Sequence, residues 1–212
     1  MRPSRLILAA CALGGLAACA SYPDSQAGIS PAGSVNAQAA GTYTPDLPVN
    51  AAPFDDAQVS WKQRLDQPYV YLEHRGSYTE TGTLLPALHR ELAAQGLEAS
   101  GAPFCLFYDD PALVPLGSLR SRACVPIAGP RSPRSPLAYD VLPSTTVAYA
   151  YGSGSYSDMP RLYPGIYKFM SKMNWVENGP IREVYLVAPT ASVRPEDLVC
   201  EVQIPAAPRG RP

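Results

Sequence analysis

The chain has 212 residues, 46% hydrophobic and 17% charged, with 17 Lys+Arg against 18 Asp+Glu for a formal charge of −1. Its 24 prolines are roughly twice ordinary usage, which excludes an all-helical bundle and keeps helices and central strands short. The near-neutral balance, without any basic run, points away from nucleic acid as a partner.

In chain order, Arg2 and Arg5 precede an apolar stretch at residues 6–18 that is too short to span a bilayer, which takes about 20 residues. The stretch ends in Leu16-Ala17-Ala18-Cys19, which resembles the lipobox of bacterial lipoproteins, where the cysteine is acylated and cleavage falls before it. Residues 1–18 are therefore expected to be a lipoprotein signal peptide and Cys19 the lipidation site. Ala20, rather than Asp, follows the cysteine, which by resemblance to envelope sorting implies the outer membrane, facing the periplasm. The alternative is an ordinary secretory signal with Cys19 incidental. Residues 19–57 and 206–212 are rich in Ala, Ser, Pro and Gly, and are expected to be a disordered tether and tail. Residues 58–205 make one domain. Cys105, Cys124 and Cys200 then sit in an oxidising compartment that permits one disulfide and one leftover thiol.

The domain carries an internal repeat. Laid so that Tyr71 falls on Tyr149, the segment 69–111 aligns with 147–189 without a gap at eight identities, among them Gly76/Gly154, Ser77/Ser155, Tyr78/Tyr156 and Pro86/Pro164. Each half reads strand, Gly-Ser-Tyr turn, Pro-started helix, Gly, strand, loop, strand. In the first strand of each half, Val70 and Leu72 oppose Tyr69 and Tyr71, and Ala148 and Ala150 oppose Tyr149 and Tyr151. In the later strand Val184 and Leu186 oppose Glu183 and Tyr185. Helices at 86–95 and 164–174 offer Leu88, Leu92, Ile166 and Met170 at helical spacing. The aliphatic strand faces are expected to pack on these helices. The opposite face, lined with Tyr and Glu, is then a candidate ligand surface, or else ordinary amphipathic strand surface under loops. If the strands around 105 and 124 form a hairpin, Cys105 and Cys124 could bridge it, with Cys200 free.

The order of Arg75-Gly76-Ser77-Tyr78, Gly101-Ala102-Pro103, Gly154-Ser155-Tyr156, Trp175, Gly179-Pro180, Glu183-Val184-Tyr185 and Glu201-Val202-Gln203-Ile204-Pro205 resembles the GyrI-like small-molecule-binding domain, also found as the effector-binding domain of AraC-type and MerR-type regulators. The resemblance implies an α+β fold of two strand-helix-strand-strand units related by a pseudo-two-fold, antiparallel sheets with one helix packed on each, and a groove on the opposite face. It implies ligands that are often lipophilic cations, bound among aromatics opposite a Glu, which falls here on Glu183 beside Tyr185. Tyr69, Tyr71, Tyr149, Tyr151 and Phe107 complete the expected ligand site. A pair with Arg182, Arg122 or another strand-face arginine is the alternative for Glu183. No helix-turn-helix precedes the domain, and the Pro/Arg/Ser-rich link at 128–137 fits no part of the pattern.

Chemistry is sparse. His74 and His89 lack metal-ligand spacing and no Cys-x-x-Cys occurs, so neither metal nor cofactor is expected. No nucleophile elbow surrounds a serine. Some relatives of this kind hydrolyse strained electrophiles, which would make Glu183 a general base with a nearby Tyr as proton donor. Trp175 fits either a pocket cap or core, with core preferred. The expectation is a lipid-anchored envelope protein that binds a small organic molecule without a cofactor. A hydrolase and an envelope interaction protein without a ligand are the alternatives.

Overall fold

A computed structural model describes residues 45–189 and 192–210. The signal segment, Cys19 and the tether up to residue 44 lie outside the described residues. In order, the elements are β1 (Val49–Asn50), β2 (Ser60–Arg64), β3 (Gln67–Arg75), α1 (Tyr78–Thr81), α2 (Leu85–Ala94), β4 (Phe104–Phe107), β5 (Arg120–Pro126), β6 (Ala138–Leu142), β7 (Thr145–Ser153), α3 (Tyr163–Lys172), β8 (Trp175–Glu177), β9 (Ile181–Tyr185) and β10 (Val199–Pro208).

The repeated residues do repeated work. Gly76 and Gly154 both take φ near 130°, a conformation side chains rarely adopt, and their N–H groups bond Leu119 and Leu198 carbonyls, each at 3.0 Å. The Tyr78 hydroxyl donates to the Asp109 carbonyl and that of Tyr156 to the Val187 carbonyl, acceptors that are themselves equivalent in the repeat. Each tyrosine also stacks on the ring of its own unit, Tyr78 on Phe107 at 4.9 Å and Tyr156 on Tyr185 at 4.5 Å. Pro86 and Pro164 begin α2 and α3, where a missing N–H costs nothing. Gly96 and Asn174, repeat mates with φ of 65° and 54°, end them.

All strands join one sheet in the order β1-β7-β10-β9-β4-β5-β3-β6, with β2 also on β7 and β8 on β10. The two units meet where β4 pairs antiparallel with β9. The repeat extends further back than the sequence showed: β2 and β6 occupy equivalent positions in the two units, and each pairs with the opposite unit, β2 with β7 and β6 with β3. This exchange shapes the sheet. Only Leu65 and Asp66 separate β2 from β3, a span of about 11 Å at most. Six strand spacings of a flat sheet would put them about 29 Å apart. The sheet must therefore curl, and the contact of Gln67 at the start of β3 with Arg182 on β9 shows that it wraps around the face without helices.

The helix-bearing face holds the main core, in which Leu88, Leu92, Ile166 and Met170 pack on Val70, Val125, Ala148, Val202 and Ile204. A smaller cluster of Tyr69, Phe104, Leu106, Cys124, Leu142 and Val184 fills part of the other face.

Two expected boundaries need correction. Residues 45–57, assigned to the tether, dock on the domain: Val49 and Asn50 pair parallel with Tyr151 and Gly152, and Phe54 is buried. Residues 206–208, assigned to the tail, continue β10 and pair with β8, with Ala206 buried. Composition averaged over these segments hid the few residues that find partners. The link at 128–137 runs past the end of α2, where the Gln95 amide exchanges two hydrogen bonds with the Arg134 backbone at 2.9 and 2.7 Å, and Leu137 enters the core.

Candidate functional site

β9 places alternate residues on opposite faces. Ile181 and Tyr185 join the helix-side core while Val184 joins the cluster on the other face. Glu183 therefore points toward the helices. It is 3% exposed. The Tyr163 hydroxyl, at the start of α3, donates to its Oε1 at 2.6 Å, and the Tyr185 hydroxyl donates to its Oε2 at 3.2 Å. Cys105 faces it across the β4–β9 pairing, and Cys200 pairs with Tyr185.

Among the described residues no Lys, Arg or His forms an ion pair with Glu183. Burial pushes its carboxyl up to about 7, against the pull of the two tyrosine hydrogen bonds. Burial together with the Glu183 charge drives Tyr163 and Tyr185 well above the usual phenol range, so both stay donors. Burial likewise pushes Cys105 up to about 12. The result is one carboxylic group near half-ionisation at neutral pH, ringed by neutral donors and aromatic area. It can accept a cation or exchange a proton.

The expected single face of tyrosines and Glu183 is split between two. Tyr69, Tyr71, Tyr149 and Tyr151 do lie on the helix-free face. There the Tyr69 hydroxyl accepts from Arg122 at 2.7 Å, Arg122 lies 3.9 Å over the Tyr71 ring, and both Tyr149 and Tyr151 donate to Asp46. Glu183, Tyr185 and Phe107 lie on the helix face. On β9 the faces are the reverse of the expectation, because both faces of the central strands are apolar and aliphatic character does not mark the helix side. Arg122 pairs with Asp140 at 2.8 Å and Arg182 points to the other face, so neither is the partner of Glu183.

The Cys105–Cys124 bridge is also overturned. The two cysteines do sit on paired strands, but Phe104 is opposite Cys124 and Cys105 opposite Ala123, which puts the two sulfurs on different faces. All three cysteines in the described residues are free and buried. Trp175 is half-buried at the rim of the helix-side core, edge-on to Phe169 at 6.3 Å and to the exposed Trp61 at 6.1 Å. Sequence reasoning missed Tyr163 and Cys105 as neighbours of Glu183, although the repeat alignment places Cys105 on Glu183.

A carboxylate set at the junction of two duplicated units, under a pair of helices, directs comparison to families built this way. The family model for the GyrI-like small-molecule-binding domain matches residues 57–207. The chain belongs to the GyrI-like family. The C-terminal domain of EcmrR aligns with 72% of the chain and 99% of its own length at TM-score 0.64 and 14% identity. EcmrR in a DNA complex aligns over 72% of this chain and 58% of that one at TM-score 0.64 and 15% identity. A hydrolase from Listeria innocua aligns over 73% and 95% at TM-score 0.52 and 9% identity. At these identities the likeness is one of GyrI-like fold. No curated protein sequence matches the chain significantly.

Proposed function

We propose that this GyrI-like domain binds a small organic cation whose charge settles on Glu183, and that the protein does so in the cell envelope, anchored through Cys19. The observation that carries the first part is a sealed carboxyl group whose hydrogen-bond partners are two neutral tyrosines. Burying a carboxylate without a fixed cation costs several kcal/mol, which a cationic ligand offsets. The ligand reaches Glu183 by displacing Tyr163, and stacks against Tyr185 and Tyr156 in its place. The anchor rests on Arg2, Arg5, the apolar residues 6–18 and the Leu-Ala-Ala-Cys junction.

Ethidium, a fluorescent aromatic cation, tests the site. Affinity is expected to rise from pH 6 to pH 8 as Glu183 ionises, and Glu183→Gln is expected to weaken binding at least tenfold at pH 8 with a smaller loss at pH 6. Binding that ignores both pH and the substitution would overturn the reading. A carboxyl group near 7 also suits a general base, so turnover of a simple epoxide that disappears in Glu183→Gln would favour the hydrolase. Mass spectrometry of the N-terminal peptide, and a shift of Cys19→Ala from the membrane to the soluble fraction, test the anchor.

A further inference from the structure

Arg182, the neighbour of Glu183, points the opposite way, into a cleft of about 460 Å³ on the helix-free face. The corner between β2 and β3 closes one side of that cleft and brings Arg64 to its wall. Both arginines are buried, at 5% and 9% exposure.

Their hydrogen bonds are few. Arg182 donates through Nη2 to Gln67 at 2.5 Å and through Nη1 to Gln203 at 3.4 Å, and its guanidinium lies 4.0 Å over the Phe104 ring. Arg64 donates through Nη2 to the Pro143 carbonyl at 2.8 Å. Nε of Arg182 and both Nε and Nη1 of Arg64 are buried with no partner. Neither guanidinium has a carboxylate in ion-pair range among the described residues. Of the acidic groups lining the cleft, Glu201 meets Lys62 at 2.6 Å and acts on Arg182 only by its charge from beyond ion-pair range, and Asp66 accepts from the Ser144 N–H. Burial and, for Arg182, the repulsion of Arg64 lower both guanidinium groups to about 10.

Two buried like charges with three idle guanidinium nitrogens are costly unless an anion joins them. Guanidinium forks match a carboxylate in the plane. Val184, Leu186, Ala102 and Ile127 on the adjoining walls suit an apolar body, and the volume is that of a small-molecule pocket. We propose that this cleft is a second site, which takes an organic carboxylate with its charged end on Arg64 and Arg182 and its apolar body along Val184 and Leu186. The one strand β9 thus serves opposite charges on opposite faces.

The test is calorimetric titration of the full chain, in a buffer free of phosphate and carboxylates, with 2-naphthaleneacetate and with the neutral 2-naphthaleneethanol. The carboxylate is expected to bind one site at least tenfold more tightly than the alcohol. Arg182→Lys and Arg64→Lys, which keep the charge and lose the fork, are each expected to lose at least fivefold, and Glu183→Gln to leave the affinity unchanged. Equal affinity for carboxylate and alcohol, or no carboxylate binding at millimolar concentration, overturns the proposal in the unmodified protein alone. Loss of carboxylate binding in Glu183→Gln would move the ligand to the other face and equally sink it.

Discussion

Cys105 lies directly opposite Glu183 where β4 pairs with β9, and the two are also repeat mates. The neighbouring pairs, Phe104 with Val184 and Leu106 with Arg182, follow the same rule of mates crossed over. The pseudo-two-fold therefore passes between Cys105 and Glu183. A symmetric pair of carboxylates at this spot would repel each other. The duplicated fold instead keeps one acid and one buried thiol, giving a single charge site at the centre of a near-symmetric frame.

The raised carboxyl of Glu183 has a consequence for stability. Its value moves from 4.5 to about 7 on folding, so the folded state binds the proton more tightly and stability falls as pH rises through that window. The loss is on the order of 3 kcal/mol by pH 8. Glu183→Gln lacks this slope, so the substitution gains on the original protein between pH 5 and pH 8. Urea denaturation of both proteins at the two pH values measures the change in their difference. A constant difference would show that Glu183 is not a buried neutral acid.

Much of this arrangement was legible in the residues. The Gly-Ser-Tyr turns, the prolines opening the helices and the alternation of Tyr69 and Tyr71 against Val70 placed the units, the helices and one sheet face. Two things were not. Periodicity separates the faces of a strand but cannot say which faces the helices when both are apolar, as on β9. The exchange of β2 and β6 is a long-range pairing, set by the curl of the whole sheet and not by either strand's own pattern.

The thiols give a second prediction. Cys105, Cys124 and Cys200 are each fully buried, and burial raises all three thiols far from reactive values. In the native protein at pH 8 they are expected to resist an aromatic disulfide reagent, and all three to react once urea unfolds the chain. Peptide mapping under non-reducing conditions is expected to find no Cys105–Cys124 link. Finding that link would mean the β4–β5 register is displaced by one residue.

Asp46 is expected to hold the segment before β2 in place. Its two carboxylate oxygens accept from Tyr149 at 2.8 Å and Tyr151 at 2.9 Å, while the Asn50 side chain donates to the Tyr151 carbonyl and accepts from the Gln58 N–H, both at 2.7 Å. Asp46 is exposed, so its loss costs only about 1 kcal/mol, enough to raise the open population several-fold. Asp46→Ala should speed proteolysis and amide exchange at residues 49–58 and leave β3 to β5 unaffected. Unchanged protection at 49–58 would show that Asn50 and Phe54 suffice to dock the segment.

Two glycines separate close packing from backbone freedom. At Gly152 on β7, a Cβ would sit 2.5 Å from a Leu162 methyl and 3.0 Å from the Met159 sulfur, and both of those side chains are fully buried. Neither can withdraw into solvent, so Gly152→Ala is expected to destabilise by about 1–3 kcal/mol through overpacking. Gly82 lies in the turn between α1 and α2 with φ of −63°, and a Cβ there meets nothing within 4 Å. Gly82→Ala restricts only the unfolded chain and is expected to stabilise by about 0.4–1 kcal/mol. Thermal melts of the two variants should therefore shift in opposite directions. If Gly152→Ala melts no lower than the original protein, the segment carrying Met159 and Leu162 packs less tightly on β7 than these distances require.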